Sequence, residues 1–457
     1  IQHPIKVAEF LAELHLDAST LAAALLHDVV EDCEVPIEEL NERFGTEIAR
    51  IVDGLTKLTH LNSNSGNSLD VDHPRDGTQA ENLRKMFVAM AEDIRVVLIK
   101  LADRLHNMQT LQHMPASKRI AISQETIDIY APLAERLGMG QFQWQLEDLA
   151  FRYLYPKPYQ SISRLLASQK KGREEHVQRV TQVLNQQLNQ SNIQAEVTGR
   201  TKHLYSIYRK AQTYASQGKQ IGEIYDLFAV RILVSNIQDC YGALGVVHSI
   251  WRPLPGEFND YIANPKANMY QSLHTTVRGA TGVPIEIQVR TYDMHQVAEF
   301  GVAAHWRYKE GYVAKDMRFE EKLAWLRQLL DWQREFSGAD EFLETVKTDI
   351  FKDQVFVYTP KSEIKELPSG STPIDFAYHI HTDLGHRCIG AKVNDRMVSL
   401  DYQLRNGDTI QIITSKVARG PSFDWLNPHL GYIKTATARQ RIRSWFRRQE
   451  RSTHITR

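Results

Sequence analysis

The segment Leu26-His27-Asp28-Val29-Val30-Glu31-Asp32 sets one imidazole and three carboxylates into otherwise apolar sequence. His27 and Glu31 are four residues apart, as are Asp28 and Asp32, so on a helix all four groups share a face. An adjacent His-Asp pair can offer nitrogen and oxygen to one divalent ion, a donor set that suits manganese or a similar transition metal. Glu31 and Asp32, one turn further on, are then placed to polarise a water beside that ion, the task of a general base. Two more ligands are available. His3 precedes Pro4 at a helix start, and Asp103 interrupts the apolar run Lys100-Leu101-Ala102-Asp103-Arg104-Leu105-His106-Asn107-Met108. The competing reading of Asp103 is an ion pair with Lys100 or Arg104.

A second group of residues suits a nucleotide. Gly199-Arg200-Thr201-Lys202-His203-Leu204-Tyr205-Ser206 continues to Arg209 and Lys210. Basic groups on a turn and the following helix fit a triphosphate, and the helix N-terminus adds backbone donors. Asp226 stands just before an apolar strand, and Glu286 alternates with Ile285 and Ile287 inside another. Carboxylates so placed are costly unless paired or metal-bound. Two of them converging on magnesium is one solution, and two separate salt bridges is the other. Between them, Asn264-Pro265-Lys266-Ala267-Asn268-Met269-Tyr270-Gln271-Ser272-Leu273-His274 packs a lysine, amides, a tyrosine and a histidine into one segment. A ring there can stack on a base for roughly 1–3 kcal/mol, and the amides can read base edges.

The elements that must carry these groups follow from the pattern of the chain. At 457 residues the length suggests about three domains. With 42% hydrophobic and 24% charged residues the composition is that of a globular protein. Lys plus Arg equals Asp plus Glu at 55 each, so any anion-binding site must be local. Three dispersed cysteines give neither a disulfide framework nor a zinc pattern. The absence of a signal peptide or a long apolar run makes the cytoplasm the expected compartment and predicts no membrane partner. The start at Ile1 suggests a fragment.

Residues 1–150 read as helical, from stripes such as Leu21, Leu25 and Val29, and Leu83 through Met108. Asn62 to Gly77 between them reads as a loop. A polar helical connector runs to about Asn192, and its Pro132, Gly138 and Gly140 suit either hinges or plain helix ends. From Ala195, short β-branched runs at 228–234, 273–277 and 285–289 alternate with helical segments, an α+β domain within 151–340. Residues 351–415 form a small module of strands cut by Pro-Ser-Gly, Val-Asn-Asp and Arg-Asn-Gly-Asp turns. The stretch 416–457 carries ten Lys or Arg against Asp424 and Glu450. Its helix, with Ile442, Trp445 and Phe446 on the apolar side, either docks on a further domain or binds RNA phosphates.

The His3-Pro4 pair, the 27–32 segment, Val52-Asp53-Gly54-Leu55-Thr56-Lys57 and the 100–108 stretch together resemble the HD hydrolase domain of the RelA/SpoT family. That resemblance implies an all-α domain, with His3, His27, Asp28 and Asp103 as manganese ligands and Glu31 and Asp32 as the catalytic pair. Asn107 and Thr110 match positions near the nucleotide. Tyr225-Asp226-Leu227, the 264–274 segment, Ile285 to Arg290, and Met294 to Glu299 through His305-Trp306 are similar to the family's synthetase domain.

The implied synthetase fold is nucleotidyltransferase-like, a mixed sheet flanked by helices. The implied chemistry moves a pyrophosphoryl group from ATP to the 3′-hydroxyl of GDP or GTP, giving ppGpp or pppGpp. By motif position Arg200 packs on adenine, Lys202 and Lys210 hold phosphates, and Asp226 and Glu286 bind magnesium. Glu286 also helps to deprotonate the hydroxyl, Tyr270 stacks on guanine, and Lys266, Asn268 and His274 line the acceptor site.

Gly256-Glu257-Phe258-Asn259-Asp260 departs from the basic pattern of bifunctional members toward the acidic one of synthetase-only members. Residues 355–414 resemble a TGS domain, a β-grasp module. Its relatives contact uncharged tRNA on the ribosome, and His381 and His386 are the candidates here. A bifunctional enzyme is the expectation. A hydrolase-dominant member with a weak synthetase, and a non-catalytic ribosome and tRNA sensor, are the alternatives.

Overall fold

The computed structural model describes residues 2–63, 92–168, 170–200, 202–216, 229–266, 268–279, 282–308, 354–361, 363–415 and 420–455. The described residues up to 308 belong to one compact unit and those from 354 to a second.

The first unit begins with helices α1 (Gln2–Glu13), α2 (Ala18–Leu26), α3 (Val29–Asp32), α4 (Ile37–Phe44) and α5 (Thr46–Ser63). Asp17 caps α2 by accepting from the Thr20 amide. The buried face of α2 is Thr20, Ala23 and Ala24, leading on to His27, while Leu25 is 46% exposed. The stripe expected from Leu21, Leu25 and Val29 is therefore not the packed one. Small residues make the contact instead. The helix also stops at Leu26, so His27 and Asp28 form a turn before α3 rather than lying on one continuous helix.

Helix α6 (Ile94–Gln109) starts at Asp93, whose carboxylate accepts from the Arg95 amide. The long helix expected from Leu83 is thus interrupted at Asp93, and its portion at 83–91 lies outside the described residues, as does most of the expected 62–77 loop. α6 is buried on nearly all sides, from Val96 through Met108, as a central helix must be.

The connector consists of α7 (Ala116–Glu125), a π turn at Thr126–Tyr130, α8 (Ala131–Arg136), α9 (Gly140–Leu154), α10 (Pro156–Ser168) and α11 (Lys170–Gln190). Next come β1 (Ala195–Arg200), α12 (Leu204–Ser216), β2 (Ala229–Val234), α13 (Ile237–Ile250), β3 (Arg252–Asp260), β4 (Leu273–Arg278), β5 (Pro284–Thr291) and α14 (Tyr292–Phe300). The sheet runs β1-β2-β5-β4-β3, with β2 and β5 parallel and the other neighbours antiparallel, the expected mixed sheet. Successive strand residues face opposite sides. Ile285, Ile287 and Val289 therefore join Val230, Ile232, Leu184 and Val247 in the core, and Glu286, Gln288 and Arg290 face the other way. No helix among the described residues is long and apolar enough to cross a membrane.

The second unit holds β6 (Gln354–Tyr358), β7 (Ile364–Pro368), α15 (Pro373–Ile380), α16 (Thr382–His386), β8 (Cys388–Val393), β9 (Arg396–Val398), β10 (Ile410–Thr414) and α17 (Ala436–Ile455). A parallel bridge between Tyr358 and Thr409 links the β6-β7 pair to the β10-β8-β9 sheet. The Asn394-Asp395 turn has φ of 50° and 63°, the left-handed values a tight hairpin needs.

The apolar side of the basic helix α17 is covered within this unit. Ile442 and Phe446 pack with Ile374, Tyr378 and Trp425, so no further domain is needed to bury it. Asp375 locks the two elements together. Its carboxylate completes a capping box with Thr372 and accepts from the Lys434 amide and from the amide and hydroxyl of Thr435. Asp375→Ala leaves these buried donors unpaired at about 1–3 kcal/mol each. Thermal unfolding of the variant is expected to show this unit destabilised by about 3 kcal/mol or more. A loss below about 0.5 kcal/mol, typical of a surface change, would contradict the lock.

Candidate active sites

In the helical half, α1, the α2–α3 turn and α6 bring four ligand-type side chains together. Nε2 of His3 lies 3.3 Å from Nε2 of His27, 3.6 Å from Asp28 Oδ2 and 3.2 Å from Asp103 Oδ1. His27 Nε2 is 3.0 Å from Asp28 Oδ1. The ligand atoms of His3, His27 and Asp28 lie within 4.8 Å of one another, and Asp103 joins through His3. The Nδ1 of His27 faces the Ala24 carbonyl at 2.8 Å, which places the proton on Nδ1 and leaves the Nε2 lone pair pointing at the cluster. Two imidazole nitrogens and carboxylate oxygens aimed at one point fit a divalent cation better than one another.

Asp103 makes the Lys100 ion pair of the competing reading and also faces the His/Asp cluster. Oδ1 faces His3 while Oδ2 takes Lys100 Nζ at 2.8 Å. Burial alone would raise its carboxyl, but Lys100 and His3 outweigh that and hold it well below the usual carboxylate range. Asn107 donates to Asp103 Oδ1 at 2.6 Å, so here it orients the Asp103 carboxylate. Thr110 is the C-cap of α6, and its exposed hydroxyl donates to the His106 carbonyl. Glu31 and Asp32 sit on α3, half-buried and exposed respectively, just outside the tight cluster. His106, quoted in the motif but given no part by the sequence, has its Nδ1 2.7 Å from Nδ1 of His3.

The second site is a cavity of about 800 Å³ over the polar face of the sheet. The structure brings Arg200, Lys202, Lys210, Lys266, Asn268, Tyr270, His274 and Glu286 together along its lining. Asp226 lies outside the described residues. Glu286 meets Lys202 Nζ at 2.9 Å, His274 Nδ1 at 3.6 Å and Gln288 Nε2 at 2.8 Å. Burial would raise this carboxyl, but the Lys202 ammonium and its hydrogen bond outweigh it, so the group stays ionised. A half-buried carboxylate faced by one lysine, a histidine and an amide also fits a divalent cation.

His274 is pushed down to about 4, first by burial and then by Lys266 and Arg200, so its ring is neutral near pH 7. Its Nε2 and the Tyr270 hydroxyl are 2.8 Å apart. Lys266 lies over the rings of Tyr261 and Tyr270 at 4.8 and 5.6 Å. Asp148 accepts from the Leu204 and Tyr205 amides at the start of α12, the helix that carries Lys210.

Several lining residues escaped the sequence reading. Arg231, Gln288 and Arg290 alternate with core residues on β2 and β5 and face the cavity beside Glu286. The signal was available, since polar residues at every second position of an apolar strand mark a second face. Glu299 accepts from Arg231 and Arg290, each at 3.2 Å. Trp144 and Glu147 come from α9, a helix that the sequence assigned only to the connector. Trp144 stacks on His203 with centroids 4.2 Å apart, and burial pushes the Glu147 carboxyl up to about 7.

In the second unit, His381 caps α16 by accepting from the Asp383 amide and is exposed. His386 is half-buried, with Nδ1 2.9 Å from the Tyr378 hydroxyl.

A helical domain with a clustered His/Asp site, joined to a mixed-sheet domain with a basic cavity and followed by a β-grasp module, defines a multidomain class. Three family profiles match in the same order: HD domain over residues 1–140, region found in RelA / SpoT proteins over 199–312, and TGS domain over 355–414. A GTP pyrophosphokinase of Myxococcus xanthus is 49% identical over 455 residues, covering 99% of this chain and 58% of the relative. A probable guanosine-3′,5′-bis(diphosphate) 3′-pyrophosphohydrolase of Synechocystis is 48% identical over 461 residues, 100% of this chain and 58% of the relative. The Escherichia coli GTP pyrophosphokinase is 44% identical over 453 residues, 99% of this chain and 60% of the relative. The chain belongs to the RelA/SpoT family, and it spans less than two thirds of the length of these relatives.

Proposed function

We propose that the chain makes and degrades guanosine 3′,5′-bis(diphosphate) at two separate sites. The observation that carries this reading is the presence, in one chain, of two chemically different constellations: a His/Asp cluster and a basic cavity around a paired carboxylate. Relatives named for each of the opposed activities support it.

At the helical site, water attacks the 3′-linked diphosphate of ppGpp or pppGpp, releasing pyrophosphate and GDP or GTP. His3, His27, Asp28 and Asp103 would hold manganese there, which would supply Lewis acidity. Glu31 and Asp32 take the proton of the attacking water, and Asn107 steadies Asp103. In the cavity, the 3′-hydroxyl of GDP or GTP attacks ATP, and AMP leaves. Magnesium there would be held by Glu286, with Asp226 the second ligand that the resemblance implies, and would supply charge neutralisation to the transferring group. Arg200 packs on adenine, and Lys202 and Lys210 hold phosphates. Arrival of the triphosphate gives Lys202 a new anionic partner, which frees Glu286 to accept the hydroxyl proton. Positioning of two nucleotides contributes roughly 7–11 kcal/mol of barrier lowering.

Tyr270 stacks on guanine, with Lys266 and His274 beside it. Tyr270→Ala is expected to raise the acceptor KM by about tenfold or more, the equivalent of roughly 1–3 kcal/mol of stacking. Tyr270→Phe keeps the ring and loses only the bond to His274, so its KM should match the unmodified chain. Steady-state kinetics with varied GDP separates them, and equal KM increases in both variants would argue against stacking.

The nucleotide substrates and the free thiols of Cys33, Cys240 and Cys388 fit the cytoplasm. The second unit, with exposed His381 and a basic α17, suits contact with uncharged tRNA and the ribosome. Incubating the chain with labelled ATP and GDP, and separately with labelled ppGpp, tests the whole reading by its products.

A further inference from the structure

The acceptor segment carrying Lys266, Asn268 and Tyr270 is not held by the sheet domain alone. Asn268 Nδ2 donates to the Glu135 carbonyl at 3.1 Å, and its Oδ1 accepts from the Tyr270 amide at 3.2 Å. Val302, just past α14, donates its amide to the Leu137 carbonyl at 2.9 Å. Around these bonds three backbones meet at glycines. A Cβ on Gly301 would stand 2.1 Å from the Leu137 carbonyl oxygen, and one on Gly140 would stand 2.6 Å from that of Ala298. One on Gly138 would stand 3.0 Å from the Asn268 carbonyl oxygen and 3.1 Å from Gly301 Cα. Gly138 and Gly301 also have φ of 72° and 57°, so glycine is required there twice over. These glycines serve close approach rather than bending.

The loop is held under strain as well. Met269 has φ of 64°, a conformation that costs a non-glycine residue about 1–3 kcal/mol and persists only where surrounding contacts over-determine it. Its amide donates to the Lys266 carbonyl at 2.7 Å, and the Lys266 amide donates to the Tyr270 carbonyl at 3.2 Å. From the Glu135 carbonyl, hydrogen bonds run through Asn268 and Tyr270 to His274, which faces Glu286. Glu135, Gly138 and Gly140 line the same cavity as Tyr270.

We propose that the α8–α9 turn of the helical half is a working part of the acceptor site. By clamping Asn268 and the end of α14, it sets the Tyr270 ring in place before a guanine nucleotide arrives. Asn268 and the three glycines are positioning residues, acting through Tyr270. Preorganisation of this kind lowers the cost of binding one nucleotide without touching the other. The proposal rests on the acceptor-site reading above and deepens it.

Two variants of the full chain test it. Asn268→Asp keeps an oxygen for the Tyr270 amide but turns the Glu135 contact into two facing acceptors, with no steric change. Gly140→Ala forces the turn off the Ala298 carbonyl. In both, the GDP KM is expected to rise about tenfold, the scale of a misplacement well under 1 Å. The ATP KM and the rate of ppGpp hydrolysis should stay within about twofold. Retained hydrolysis reports a folded chain, and if Gly140→Ala does not fold, Asn268→Asp decides alone. An unchanged GDP KM in Asn268→Asp, or equal rises for GDP and ATP, would overturn the proposal. Calorimetric titration of GDP separates the clamp from the activity. Binding without transfer in the unmodified chain would remove the synthetase reading, and the clamp would still stand or fall on whether Asn268→Asp weakens GDP binding. No GDP binding at all would overturn both.

Discussion

Glu286→Gln is expected to lower pyrophosphoryl transfer by about 10²-fold or more in kcat, with little change in either KM, while ppGpp hydrolysis continues at its normal rate. The substitution keeps the shape of the side chain and its place on β5 between two core residues. What it removes is the charge. In the structure that charge is held by Lys202, with His274 and Gln288 alongside, so the carboxylate stays ionised despite its burial. A neutral amide binds a divalent cation more weakly than a carboxylate and cannot act as the base for the 3′-hydroxyl. It also leaves Lys202 without its anionic partner at 2.9 Å. A variant that kept full turnover would show that Glu286 is only a structural partner of Lys202.

Asp28→Ala should have the mirror-image effect. Asp28 lies 3.0 Å from His27 Nε2 and 3.6 Å from His3 Nε2, at the turn between α2 and α3 where its removal disturbs little packing. Loss of this proposed ligand should exceed the roughly 10–100-fold losses in metal affinity or activity that follow from changes outside the ligand shell. Titration with manganese, read by electron paramagnetic resonance, should show weaker binding, and ppGpp hydrolysis should be abolished while synthesis is spared. Hydrolysis that survives removal of all divalent metal by a chelator would contradict the assignment.

Much of this was legible in the chain because the signals were local. Charged residues in the apolar runs around Asp103 and Glu286 had to have partners, and those partners are present. Strand periods located β4 and β5, and the Val-Asn-Asp turn located a hairpin that the backbone dihedrals of Asn394 and Asp395 bear out. Helix continuity was harder to read. Asp93 begins a helix where periodicity alone continued one, and the break after Leu26 turns a supposed helical face into a loop. The packed stripe of α2 was missed because alanines and a threonine bury less area than leucines, yet they allow the closer approach. Contributions from distant sequence were illegible for a different reason. Nothing local ties Trp144 or Glu135 to Tyr270, since their meeting is set by how the connector packs on the sheet domain. Gly138 and Gly140 read as hinges or helix ends when taken singly, and only with Gly301 do they form a contact too close for any side chain.

The central claim, two opposed activities in one chain, is tested most directly by following one phosphorus atom through both sites. The unmodified chain is given magnesium, GDP and ATP labelled at its γ-phosphorus. The account predicts that the label moves intact, with its β neighbour, to the 3′ position of the guanosine nucleotide, and that AMP accumulates in equal amount. After the ATP is exhausted and manganese is added, the same label should leave as pyrophosphate, regenerating unlabelled GDP. Label appearing as orthophosphate with ADP, or remaining in ppGpp after manganese is supplied, would contradict the account.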